Sequence, residues 1–258
     1  MRLSANISTL FTALPPVARI EAASRAGFRG VEMQFPYEHE PAELAGAARA
    51  AGVEFVLINM PGGDFAGGER GTACIPGREI EFQAGIIRAV FYATSLGCKR
   101  VNCLAGNIPH TADADECRTL LIANLRMAAD AFAAEGIELL LEPLNRIDNP
   151  SFILGGTQDA LDLIEEVGKP NLSLQFDLYH SAMAGEAECA MLEQHSARIA
   201  HIQISDHPGR CAPGDGMMDF ARIFETIENL SYDGWVGCEY FAPEPDFSWT
   251  ENYALRAI

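Results

Sequence analysis

Eight short β-prone runs recur along this 258-residue chain, at 2–6, 30–34, 53–59, 99–105, 137–142, 172–177, 199–205 and 235–240, with helical stretches between them. Strand–helix–strand alternation of this kind builds a parallel sheet, and eight repeats is the number that closes a (β/α)₈ barrel. Over 78–97, Phe82, Ile86, Ala89, Val90 and Ala93 fall on one face at the helical period. Over 157–168, Thr157 is placed to cap a helix that Gln158 and Asp159 open. Ala160, Leu161, Ile164 and Val167 form its apolar stripe, and Gly168 with Pro170 ends it. No linker or shift of composition divides the chain, so one α/β domain is expected over 1–258, with a tail at about 244–258 to which the sequence assigns no role. A doubly wound open sheet would carry G-x-G-x-x-G after its first strand, but the turn there reads NISTLFT. The glycine-rich stretch at 59–78 lacks the Lys-Ser/Thr ending of a phosphate-binding loop and reads as a mobile lid.

Composition narrows the partners. Apolar residues are 48% and charged residues 21% of the chain, as in soluble globular proteins. With 36 acidic against 18 basic residues the formal charge is -18, so the mean surface field repels nucleic acid and anionic membrane faces. A small anionic substrate remains compatible, provided a local cluster of Arg, His or metal reverses the field in one pocket. Cys74, Cys98, Cys103, Cys117, Cys189, Cys211 and Cys238 are scattered and never spaced as C-x-x-C, which fits a reducing cytoplasm. No apolar leader and no run of about 20 apolar residues is present, so neither export nor membrane insertion is expected.

Catalytic groups of such a barrel stand at the C-terminal ends of its strands. Strand five, IELLLE, ends at Glu142; strand six, LSLQFD, ends at Asp177; strand eight, WVGCEY, carries Glu239. Carboxylates after such apolar runs face several kcal/mol of desolvation unless something pairs with them, and a bound cation would do so. In strand seven, His201, Gln203 and Ser205 share one face and Ala200, Ile202 and Ile204 the other, so Gln203 can point inward with the acids. Glu142, Asp177, Gln203 and Glu239 then form an all-oxygen set suited to Mg²⁺ or Mn²⁺ rather than Zn²⁺. Taken singly, each acid reads first as a helix cap or a solvated loop residue; four inward polar groups, three acids and Gln203, on consecutive strands favour a common centre.

The segments EPLNRIDN at 142–149, FDLYH at 176–180, HIQISDHPGR at 201–210 and GCEY at 237–240, with GGERGTACIPGRE at 67–79, resemble the hydroxypyruvate isomerases, a family of xylose-isomerase-like TIM barrels. The resemblance runs from about residue 3 to about residue 240. It implies a divalent metal on the same four residues, Glu142 and Glu239 as the proton-transferring pair, and interconversion of hydroxypyruvate and tartronate semialdehyde through a cis-enediolate without an organic cofactor. It also implies that His180 binds a substrate oxygen and that Arg210 grips the substrate carboxylate; Arg70, in the glycine-rich loop, could supply a second positive group when that loop closes. The bland alternatives are a structural histidine, a surface arginine, and pairing of Arg70 with Glu69 or another surface acid. A homo-oligomer is compatible with all of this.

The chain departs from the family pattern at Phe241 and Ala242, before Pro243, where Lys or Arg then Pro is usual, and at CAPGDGMM over 211–218. A missing cation and a new aromatic beside the pocket favour a different or larger substrate. The rivals are therefore another small keto-acid or ketose isomerase or 3-epimerase, for instance on 2-oxo-tetronate. From other classes come a metal phosphodiesterase like the apurinic endonucleases and a non-catalytic sugar-binding protein. Six histidines and the acidic surface speak against the endonuclease.

Overall fold

The computed structural model describes residues 1–230 and 232–253. Its strands are β1 (Arg2–Asn6), β2 (Gly30–Met33), β3 (Glu54–Asn59), β4 (Arg100–Cys103), β5 (Glu138–Leu141), β6 (Leu172–Asp177), β7 (Ile199–Ile204) and β8 (Trp235–Cys238). They pair in parallel and in sequence order, and β8 closes on β1 through Ser4 opposite Gly237. The crossovers carry α1 (Pro16–Arg25), α2 (Pro41–Ala51), α3 (Glu79–Leu96), α4 (Ala114–Ala134), α5 (Thr157–Val167), α6 (Leu178–Met183), α7 (Glu188–His195) and α8 (Phe220–Asn229), with α9 (Trp249–Asn252) after the last strand. The eight expected strands are all present. Among the described residues, no helix is long and apolar enough to cross a membrane.

The apolar stripes read from the sequence are what the helices bury against the barrel. Phe82, Ile86, Ala89 and Ala93 of α3 and Ala160, Leu161, Ile164 and Val167 of α5 all lie in the main core, with Val90 half-buried against it. A left-handed Gly168 ends α5 as expected (φ 67°). Its start differs from expectation. Gly156 precedes the helix and Thr157 is its first residue; the Thr157 N–H and hydroxyl donate to Glu186, at 2.8 and 2.6 Å. A carboxylate from the α6–α7 connection thus satisfies the free N–H, a stronger acceptor than a hydroxyl and one that also favours the positive end of the helix dipole.

A second, smaller cluster of Val56, Leu57, Leu140 and Trp235 lies apart from this core. The Trp235 ring fills the space a side chain at Gly30 would need, where an added Cβ would come within 2.9 Å of it, and the Arg2 guanidinium stacks 3.9 Å over the same ring. This plugs the barrel at the strand starts and leaves the opposite end to polar groups. The tail packs rather than trails: Phe247 meets Phe28 at 5.0 Å, and Trp249 stacks on Phe224 and donates from Nε1 to the Tyr240 hydroxyl at 3.1 Å. The remainder of the expected tail, 254–258, lies outside the described residues.

Candidate active site

Three of the four expected oxygen donors stand where β-strands end. Asp177 closes β6, and Glu142 and Glu239 follow immediately on β5 and β8, while Gln203 lies within β7 in register with Asp177. All four are buried, at 5% exposure or less, and Glu142, Gln203 and Glu239 line one cavity of about 450 Å³ at the C-terminal mouth of the barrel. Each acid is held by amides. Asn102 Nδ2 donates to Glu142 at 2.7 Å, Asn6 Nδ2 to Glu239 at 3.0 Å, and Gln34 Nε2 to the same oxygen of Glu239. The backbone N–H of Tyr179 donates to Asp177 at 2.8 Å, so Asp177 caps α6, the helix that carries His180.

The electrostatics is that of a site short of positive charge. Burial, then the charges of Glu239 and Asp177, push Glu142 well above the usual carboxylate range. Burial raises Asp177 despite the opposing pull of Arg210, and lifts Glu239 to about 7. Arg210 is the cation among them: its Nη2 lies 2.6 Å from Asp177 Oδ2 and 3.1 Å from Glu239 Oε2. Burial alone would lower its pKa, but Asp177, Glu239 and Glu142 outweigh burial and raise it.

Ligand atoms of Glu142, Asp177 and His180 all lie within 4.8 Å of one another, a grouping that could hold a metal ion. The oxygen chemistry and the raised carboxylates fit a hard divalent cation, with Arg210 occupying part of the same electrostatic role. The histidine is engaged differently. Asn145 Oδ1 accepts from the Ile147 and Asp148 N–H groups, which assigns its Nδ2 as donor to Asp148 and to His180 Nδ1. The Asn145 backbone N–H also donates to Nδ1, at 3.2 Å. Burial, reinforced by Arg210, depresses His180 well below the ordinary histidine value, so the ring is neutral. Its one proton therefore sits on Nε2, on the side of Asp177. A neutral imidazole in that tautomer offers a donor, not a lone pair.

The loop after β7 positions Arg210. Buried Asp206 accepts from five backbone N–H groups, those of His207, Gly214, Gly216, Met217 and Met218. Arg210 itself has φ 52°, an uncommon conformation for a residue with a side chain, and its ion pairs hold it there. Its guanidinium also lies 4.8 Å from the Tyr179 ring. Arg70 reaches the same cavity. It does not pair with Glu69, whose carboxylate is taken by Arg78; instead Nε donates to Asn149 at 3.0 Å, Nη1 to the Glu69 and Phe65 carbonyls, and the guanidinium stacks 4.2 Å over Phe65. The glycine-rich loop therefore supplies Phe65 and Arg70 to the cavity wall. Phe241 lines the mouth and is 63% exposed.

Sequence reading passed over Glu32, Asn6, Gln34, Asn102 and Asp206. Glu32 carried a signal, a carboxylate inside the short apolar run GVEM, where a parallel strand buried on both faces admits charge only with partners. The amides carried none, since a strand-end Asn or Gln is common without a role.

A family model for the xylose isomerase-like TIM barrel matches residues 20–256. The chain is 45% identical to the hydroxypyruvate isomerase of Escherichia coli (strain K12), over 98% of this chain and 99% of that one. It is 43% identical to the 2-oxo-tetronate isomerase of Cupriavidus necator, over 93% and 92%. Among solved structures, the Brucella melitensis protein called AP endonuclease, family 2, superposes with a TM-score of 0.92 at 36% identity, covering 98% of both chains.

Proposed function

The chain belongs to the hydroxypyruvate isomerase family of xylose isomerase-like TIM barrels and is an isomerase, and from that membership we propose that it interconverts hydroxypyruvate and tartronate semialdehyde by proton transfer. The observation that carries the reading is the pair of buried glutamates, Glu142 and Glu239, at the mouth of one cavity with raised pKa values, Glu239 at about 7. A carboxylate that titrates near working pH can both take and return a proton.

One glutamate takes the proton from the carbon beside the carbonyl and the other delivers a proton to the former carbonyl carbon. The hydroxyl proton passes between the two oxygens, so the sum is redox-neutral and needs no organic cofactor. His180 donates from Nε2 to a substrate oxygen, and Arg210 and Arg70 take the substrate carboxylate. Glu142, Asp177, Gln203 and Glu239 would hold Mg²⁺ or Mn²⁺, which when bound supplies electrophilic stabilisation of the negative charge that develops on the substrate oxygens. Phe65 and Phe241 narrow the access of water to the cavity. A second reading takes 2-oxo-tetronate as substrate, supported by the 43% identity to a 2-oxo-tetronate isomerase, and the same chemistry serves it. The seven cysteines are free, in keeping with a reducing, cytoplasmic setting.

The test is incubation of the metal-loaded protein in D₂O with a panel of short keto-acids and ketoses. Deuterium entering beside the carbonyl, and lost in Glu142→Gln or Glu239→Gln, is the expected result. No exchange with any member of the panel, together with cleavage of abasic DNA, would replace this reading with a phosphodiesterase.

A further inference from the structure

Beneath the acids lies a charged residue that the proposed reaction does not use. Glu32 of β2 is 1% exposed. Its Oε1 accepts from Ser4 Oγ at 2.6 Å and His201 Nε2 at 2.9 Å, and its Oε2 accepts from Gln203 Nε2 at 2.9 Å. Gly237 makes the room: a Cβ there would stand 2.0 Å from Glu32 Oε1.

The direction of this network is fixed by chemistry. An ionised carboxylate only accepts, so the amide of Gln203 must turn its nitrogen to Glu32 and its oxygen away. Gln175 Nε2 then donates to Gln203 Oε1 at 2.7 Å, and one lone pair of that oxygen remains for the cavity that Gln203 and Gln175 both line. The two ends of an amide have nearly the same shape. Without Glu32, only the Gln175 contact would hold this orientation, and Gln175, whose own Oε1 has no partner, could turn together with Gln203, leaving the Gln203 NH₂ facing the cavity, an arrangement that repels a cation.

We propose that Glu32 is a positioning residue that locks the amide of Gln203 with its oxygen turned away from Glu32 and left to the cavity that Glu142 and Glu239 also line, and so makes a glutamine serviceable as a cation ligand. His201, which supplies no ligand itself, holds Glu32 from the other side. The inference rests on the metal-centre reading above.

The measurement is Mn²⁺ binding by calorimetry to metal-stripped protein. Glu32→Gln is expected to weaken Mn²⁺ binding by about 10- to 100-fold, the usual consequence of losing a residue that orients a ligand. The double variant Glu32→Gln/Gln203→Glu should recover most of the loss, because a carboxylate presents oxygen in either orientation and the new amide can donate to it; a purely structural role predicts no recovery. Wild-type affinity in a folded Glu32→Gln protein overturns the proposal, as does a double variant no better than the single. Should the variants not fold, nitrogen-resolved NMR of the wild type decides: the Gln203 side-chain NH₂ should exchange slowly with solvent and stay so on addition of Mg²⁺, and rapid exchange overturns the proposal. A wild type that takes up no Mn²⁺ defeats the metal-centre reading instead, while the NMR result still reports on the Glu32–Gln203 lock.

Discussion

Glu142 and Glu239 are alike in sequence setting and differ in their holders. Glu142 is fixed by one amide, that of Asn102, while Glu239 is shared by Asn6, Gln34 and Arg210. Both should be indispensable to turnover: Glu239→Gln and Glu142→Gln are each expected to lower kcat by roughly 10²–10⁴, the span of a general acid or base, with circular dichroism unchanged. A retained kcat in either variant would remove that glutamate from the proton path. His180 separates two roles. As an Nε2 donor to substrate it predicts that His180→Asn loses about 10- to 100-fold in kcat/KM, in line with about 1.5–3 kcal/mol for a hydrogen bond to a charged group, while Mn²⁺ affinity is kept. Loss of Mn²⁺ binding in that variant would make His180 a ligand. The histidine's presence near Asp177 is legible in FDLYH, but its tautomer is not, because the Asn145 groups that set it lie 35 residues away in the chain.

The elements that matter most for the site are loops organised by single side chains. Asp206 gathers the backbone of 207–218 and so fixes the segment that carries Arg210. Asp206→Ala strands several donors at once, and is expected to cost about 2–4 kcal/mol of stability, read as a lowered urea midpoint, together with a raised KM as Arg210 loses its place. An unchanged KM would mean that the ion pairs to Asp177 and Glu239 position Arg210 without the loop. The segment reading CAPGDGMM looks irregular as sequence, yet Gly216 is what lets the chain pass close to Asp206: a Cβ there would lie 2.4 Å from the carboxylate. The glycine-rich stretch at 59–78 is similar, since Gly71 has φ 97° and an added Cβ would fall 1.8 Å from the Leu104 carbonyl oxygen. The helices were far more legible than these loops. Their apolar period is set by residues three and four apart, whereas the cap of α5 comes from Glu186, 29 residues away from Thr157.

At the scale of the whole molecule, the barrel sets several acids at one end of a chain that is already strongly acidic. In metal-free protein this has a pH signature. A carboxylate whose pKa is raised on folding binds more protons in the folded than in the unfolded state, so stability falls as pH rises from about 4.5 through the folded value, about 7 for Glu239, and the raised Glu142 acts in the same direction. Cation binding removes that penalty, and Mg²⁺ or Mn²⁺ should therefore raise the Tm more at pH 8 than at pH 5. Equal shifts at the two pH values would disconnect the cation from these carboxylates. Glu32 works in the opposite sense: burial raises it, but His201, Ser4 and Gln203 outweigh burial and hold it below its ordinary value, so its contribution is present at neutral pH and is lost on acidification.

The sequence by itself determined the order and kind of the elements, the closure number of the barrel and the acids at its strand ends, because hydrophobic period and strand-end position are local properties of the chain. Only the tertiary structure decided which inward side chains meet. Glu32 of β2 reaches His201 and Gln203 of β7 across 169 and 171 residues of chain, and Arg210 reaches Asp177 across 33. Those contacts exist because a closed barrel faces all eight strands onto one axis, and a buried carboxylate must find its donors among whatever that closure brings within reach.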